Sequence, residues 1–197
     1  MRRTESAAAT RRALLDHAAA LLDSGGPAAV TLREVGARAG VTRGAPYGHF
    51  PDKEALLTAV ATEGWQRLAD AVHALRADPA TTPIQTLRAA LGCMITTSRE
   101  HPHMYRLMFA APADDLSEVG RAARRFCDEF HAVVAAVFGD MEALRYEALF
   151  LTGTHGAAGL EASGLLSTGT AYADADALVD TLLELTVGED LAKPTDP

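Results

Sequence analysis

Apolar positions recur at intervals of three and four along most of this 197-residue chain, and no segment shows the strict alternation of a half-buried strand. The clearest run is Leu116, Val119, Ala123, Phe126, Phe130, Val133 and Val137, one apolar face of a helix expected over 115–138. Ile84, Leu87, Leu91, Met94 and Ile95 repeat the pattern in a helix expected over 84–100. Breaks fall at Gly25-Gly26-Pro27, Gly40, Pro51, Pro79 to Pro83, Pro102, Pro112, Gly139 and Ser167-Thr168-Gly169. They leave about nine helices: Ser6–Ser24, Leu32–Ala39, Arg43–Gly48, Lys53–Arg76, then 84–100, 103–110, 115–138, 141–166 and 174–187. The expected fold is all-α, with a three-helix N-terminal domain over residues 1–52 and a helical bundle over 53–197.

The chemistry concentrates in TLREVGARAGVTRGAPYGHFPDK, residues 31–53. Thr31 and Glu34 have the spacing of a capping box, which starts a helix of barely two turns. Gly40 can take the left-handed conformation that stops it, and Thr42 can cap a second short helix. Two such helices joined by a tight glycine turn make a helix-turn-helix. Neither is stable alone, so both must pack on the first helix through its stripe of Leu14, Leu15, Ala18, Leu21 and Leu22. The second short helix carries Thr42, Arg43 and Gly44 at its start, and a guanidinium there can read guanine in a major groove. Tyr47 and His49 can reach phosphate oxygens. Lys53, one of only two lysines, falls in the first turn of the next helix, where its charge adds to the free amides.

This segment resembles the DNA-binding region of TetR-family regulators, whose pattern runs roughly T-x-x-x-I-A-x-x-A-G-V-x-x-G-x-x-Y-x-H-F-x-x-K-x-x-L. Thr31, Ala39, Gly40, Val41, Gly44, Tyr47, His49, Phe50, Lys53 and Leu56 match it. Gly36 departs from the usual alanine, Pro46 from a common aliphatic, and Gly48 from a larger residue. The resemblance implies that Thr31, Thr42, Arg43, Gly44, Tyr47, His49 and Lys53 face DNA. It also implies a homodimer whose two recognition helices enter successive major grooves about 34–36 Å apart, and release by a small molecule that favours another spacing. The helix from Lys53 to Arg76 is the expected lever. Further along, HPHMYRLMFA and THGAAGLEASGLL resemble a subgroup with a Trp-His-Gly motif, here Thr154, His155 and Gly156.

Charge fits that picture. The net −8 is uneven, with eight Lys/Arg against six Asp/Glu in residues 1–54 and ten against twenty thereafter. A content of 48% apolar and 22% charged residues is that of a globular chain. No run approaches the ~18 apolar residues of a membrane span, and MRRTESAAATRR lacks an apolar signal core. A cytoplasmic location is expected, with Cys93 and Cys127 as buried free thiols. His101 and His103 have no partner at metal-ligand spacing, so neither metal nor cofactor is expected. An enzyme would need a motif such as a P-loop or a nucleophile elbow, and the chain has none; GLEASGLL carries Glu161 where the elbow needs glycine. The rival reading is a dimeric helical adaptor that has lost specific DNA binding.

The distal helices raise two further expectations. Gly153, Gly156, Gly159 and Gly164 fall in the helix over 141–166, at about 1 kcal/mol each relative to alanine. Close approach of another helix would offset this. The eighth and ninth helices, 141–166 and 174–187, are therefore expected to pair with their two-fold mates; packing within one chain, or room for a ligand, are the alternatives. Trp65, Met94, Met108, Phe126, Phe130 and His155 are the residues expected around an effector pocket, although core packing also accounts for most of them. His155 shares a stripe with Leu144, Ala148, Leu151, Ala158 and Leu165, as a core histidine or as a polar group facing the ligand.

Overall fold

The computed structural model describes residues 2–110, 117–166 and 174–188, with backbone alone for 2–4. Eight α-helices and one 3₁₀ turn make up the described chain, with no strand among those residues: α1 (Arg2–Ala29), α2 (Leu32–Arg38), the 3₁₀ turn (Pro46–Gly48), α3 (Lys53–Ala77), α4 (Pro83–Glu100), α5 (Pro102–Ala110), α6 (Glu118–Phe138), α7 (Asp140–Ala162) and α8 (Ala175–Val187). The all-α expectation and its count are met, and most boundaries agree within a few residues. Leu116 and the expected helix start at 115 lie outside the described residues. The chain forms two compact units, one of residues up to Trp65 together with His101–Ala122, the other of Gln66–Glu100 and the chain from Ala123 onward.

In the first unit α1 supplies the spine. Leu14, Leu15, Ala18, Leu21 and Leu22 are all buried, as the stripe requires, and gather Val30, Leu32, Val35, Phe50 and Leu56. Near its end α1 breaks at Gly26, whose φ of 67° is a left-handed value that favours glycine. The ring of His103 lies against that glycine, so a Cβ would come within 3.0 Å of Cε1. The His101 ring bonds Asp23 at 2.8 Å, which further ties α5 to the end of α1. Across the same unit the Trp65 indole N–H donates to the Met108 carbonyl at 3.1 Å.

The second unit is a bundle in which α4 and α8 pack on α7. Leu87, Leu91, Met94 and Ile95 of α4, Phe126, Phe130, Val133 and Val134 of α6, Phe150 of α7, and Val179 and Leu183 of α8 are buried. Ion pairs bind the helices at the rim: Arg88 with Asp180, Arg99 with Glu161 at 2.7 Å and with Asp176 at 2.6 Å, and His131 with Glu147 at 2.8 Å. Helix α7 stops earlier than its glycine content implies. Gly164 lies beyond the helix at φ 77°, and the Gly164 and Leu165 amides bond back to Glu161 and Leu160. Gly164 is therefore a cap, and the interior glycine cost falls to three residues.

Candidate nucleic-acid interface

Helix α2 opens as the sequence requires and closes as it requires. Thr31 is extended, with φ −137°, and its hydroxyl accepts the Glu34 amide at 3.1 Å. The reciprocal half of the capping box is absent, because the Glu34 carboxylate takes Arg38 Nε at 3.0 Å instead. Gly40 adopts φ 66°, and the amides of Gly40 and Val41 bond the carbonyls of Ala37 and Gly36 at 3.2 and 3.1 Å. That double bond ends the helix and turns the chain.

The second element is not the α-helix expected over Arg43–Gly48. The Ala45 amide bonds the Thr42 carbonyl at 2.9 Å, Gly48 bonds Ala45 at 3.1 Å and His49 bonds Pro46 at 3.0 Å, a succession of three-residue turns. Pro46 is the physical reason. It has no N–H to close an α-turn on the Thr42 carbonyl, and glycines at 44 and 48 add little helical preference. The proline ring is buried against Gly36, where a Cβ would come within 2.6 Å of Pro46 Cγ. The departures at 36 and 46 are thus one paired change: the ring fills the space of the alanine methyl that Gly36 lacks.

The consequence is an exposed, lightly structured tip. Thr31, Thr42, Arg43, Gly44 and Tyr47 are exposed, Tyr47 by 57%, and His49 is half-buried. Among the described residues Arg43 has no acidic partner, whereas Arg12 and Arg38 are both paired. Arg33, on the outer side of α2, is exposed as well; a cation beside the Thr31 cap was the signal for it. Phe50 anchors the end of the tip in the core, with the Arg11 guanidinium 5.2 Å above its ring. Lys53 is half-buried, and its ammonium donates to the Pro27 carbonyl at 2.5 Å. It therefore ties the start of α3 to the turn between α1 and α2, a contact that sequence spacing could not foresee.

The six residues expected around an effector divide between the units. Trp65 and Met108 are buried in the first. Met94, Phe126 and Phe130 are buried in the second, the two phenyl rings stacked with centroids 5.8 Å apart. His155 is half-buried, and burial lowers its pKa. The stripe drawn through it is not a core face, since Leu144 and Leu165 are exposed; the buried face of α7 runs through Ala143, Phe150, Thr154, Ala157 and Ala158. Cys93 and Cys127 are free and half-buried, and burial raises both thiols.

Helices α7 and α8 expose several large apolar side chains. Met141, Leu144, Leu149, Leu160, Leu178 and Leu185 are exposed, Leu144 by 71% and Leu185 by 80%. An open groove of about 320 Å³ between the two helices is lined by Gly153, Gly156, Leu160, Leu178 and Leu182. Leu182 approaches Gly153 so closely that a Cβ would sit 2.9 Å from it, but Cβ atoms at Gly156 and Gly159 would meet nothing among the described residues. No helix among the described residues is long and apolar enough to cross a membrane.

Comparison with known proteins agrees with this geometry. Residues 14–60 match the family of bacterial regulatory proteins described as tetR, and residues 87–186 match the tetracyclin repressor-like C-terminal domain. Nothing among curated proteins matches. Among solved structures, a protein with unknown function from Rhodococcus sp. RHA1 is 27% identical with a TM-score of 0.75, the alignment covering 89% of this chain and 92% of that one. A possible TetR family transcriptional regulator from Streptomyces coelicolor A3(2) is 26% identical with a TM-score of 0.61, covering 79% and 72%. SmeT in its complex with triclosan shares the fold at 24% identity and a TM-score of 0.61, covering 96% and 99%.

Proposed function

The chain belongs to the tetR family of bacterial regulatory proteins, and on that premise we propose that it is a cytoplasmic, ligand-responsive repressor, without enzymatic activity, that binds a pseudo-palindromic operator as a homodimer. The observation that carries this reading is the capped, glycine-stopped α2 followed by a tip that exposes Arg43 and Tyr47. The DNA-binding part comprises residues 1–52 and the ligand-binding and dimerisation part 53–197. Arg43 reads a base edge. Thr31, Thr42, Gly44, Tyr47, His49 and Lys53 meet sugar and phosphate, Lys53 exchanging the Pro27 carbonyl for a phosphate oxygen.

Dimerisation uses the apolar outer side of α7 and α8. A monomer would leave that row of leucines in water, and a partner helix against Gly156 and Gly159 would offset their helix cost. SmeT, complexed with triclosan, supports a small molecule as effector. Helix α3 is unbroken from Lys53 to Ala77, so a shift at its distal end would move its start and change the spacing of the two tips. The test is fluorescence anisotropy with DNA from upstream of the chain's own gene, across salt. Nanomolar affinity with a steep salt slope is the expected result. Weak binding to all sequences alike would overturn the reading in favour of an adaptor.

A further inference from the structure

Several threonines in the helices of this chain satisfy their hydroxyls by donating to the carbonyl four residues back. Thr62 donates to Thr58 at 2.8 Å, Thr97 to Cys93 at 2.7 Å, Thr152 to Ala148 at 2.7 Å, Thr181 to Ala177 at 2.8 Å and Thr186 to Leu182 at 2.8 Å. Thr154 does not. Its side chain is fully buried and its Oγ1 has no hydrogen-bond partner. Among the described residues one other buried side-chain atom lacks a bond, Glu129 Oε2, and that oxygen has the Arg76 Nε 3.2 Å away. Thr154 is thus the neutral buried hydroxyl without compensation. Such a group is disfavoured, yet the remedy its neighbours use, a rotation about χ1, is not taken.

Helical register shows where Thr154 faces. Glu147 and Glu161 lie seven residues to either side, on the same face of α7. Glu147 meets His131 of α6 at 2.8 Å, and Glu161 meets Arg99 of α4 at 2.7 and 2.8 Å. The face between them carries the buried Phe150 and Ala158, so by register Thr154 lies on the side of α7 that reaches α6 through Glu147 and α4 through Glu161. Leu91, Met94, Phe126 and Phe130 are buried in this unit, and no charged side chain of the described residues is. The carboxylates of this unit named above are each paired, Glu129 with Arg76, Glu147 with His131 and Glu161 with Arg99.

We propose that Thr154 Oγ1 anchors the effector, and that the effector is an uncharged, ring-bearing apolar molecule with one hydroxyl or carbonyl group. A charged group would have to compete with carboxylates already paired to Arg76, His131 and Arg99. A ring matches the stacked Phe126 and Phe130, and the unbranched Met94 side chain can repack to admit it. One polar group suffices, because one hydroxyl awaits a partner. The inference rests on the regulator reading above and names the chemistry of its ligand.

The test compares naphthalene with 2-naphthol, read by their own fluorescence, on the full chain and on Thr154→Val and Thr154→Ser. Valine keeps the shape and removes the hydroxyl. The wild type is expected to prefer 2-naphthol, Thr154→Val to lose roughly fivefold of that preference, and Thr154→Ser to keep it. The ligand-free valine variant should melt higher, which also verifies that it folds. Failure of both probes to bind, or a preference unchanged in Thr154→Val, would overturn the proposal. Operator anisotropy on the same samples separates the two readings. Operator binding with an unmoved probe preference leaves the regulator standing and removes this effector class. A moved preference without any operator binding does the reverse.

Discussion

Two surfaces of this chain stand out from their surroundings, and they differ in kind. The tip after α2 exposes a hydroxyl, a guanidinium with no acidic partner among the described residues, a bare glycine and a phenol. Helices α7 and α8 expose several leucines and a methionine, with two glycines that no described residue covers. Water solvates the first without penalty, so its exposure is compatible with a protein that binds and releases a polyanion. The second is costly to leave wet, at about 25 cal/mol per Å² of apolar surface, so it fits a partner that stays. The two kinds of exposure imply two kinds of affinity, one switchable and one lasting.

The largest effect that can break this contrast is Leu160→Asp. A carboxylate in the middle of the apolar face should leave a monomer in analytical ultracentrifugation and weaken operator binding by at least about 100-fold, because the two tips lose their mutual effective concentration. A dimer that survives would assign the leucine row to some other partner. Next is Gly36→Ala, which restores the family's usual residue but drives its methyl toward Pro46 Cγ. Thermal melts should show a loss of about 1–3 kcal/mol, largely recovered by adding Pro46→Ala. Additive losses would mean that the two positions are not coupled.

On the polar tip, Arg43→Ala should cost about 1–3 kcal/mol of operator binding and relax preference at one base pair, while Lys53→Ala should lower the salt slope by about one unit. An unchanged slope with a lower melting temperature would instead restrict Lys53 to its bond with Pro27. On the apolar face, Gly156→Ala should raise protomer stability by about 1 kcal/mol and yet raise the dimer dissociation constant roughly tenfold through overpacking. The smallest effect concerns His155. Burial lowers its folded pKa, so acidification protonates the unfolded chain first, and stability is lost as pH falls from its usual 6.5 toward the folded value. His155→Gln should remove that part of the pH dependence in melts between pH 7.5 and 5.5.

Much of the first unit was legible in local chemistry. A threonine cap, a glycine with φ 66° and a stripe of four leucines and an alanine act over neighbouring residues, and their consequences hold in almost any tertiary setting. The tip is a 3₁₀ turn where the spacing predicts an α-helix, because the lost amide of Pro46 counts for more than its tolerance in a first turn. In the second unit the helices were legible but the facing of α7 was not. Its apolar residues nearly encircle it, so several stripes fit the spacing, and the one through His155 is rotated by one position from the buried face through Thr154.

Helix positions, the capped turn and the family resemblance follow from residues within a few places of one another, where propensity and covalent geometry act directly. The Lys53 bond to Pro27, the seating of Pro46 on Gly36, and the orphaned hydroxyl of Thr154 join positions that are far apart or that depend on helix rotation. Such contacts are selected by the packing of whole helices against one another, and no pattern along the chain encodes that choice locally.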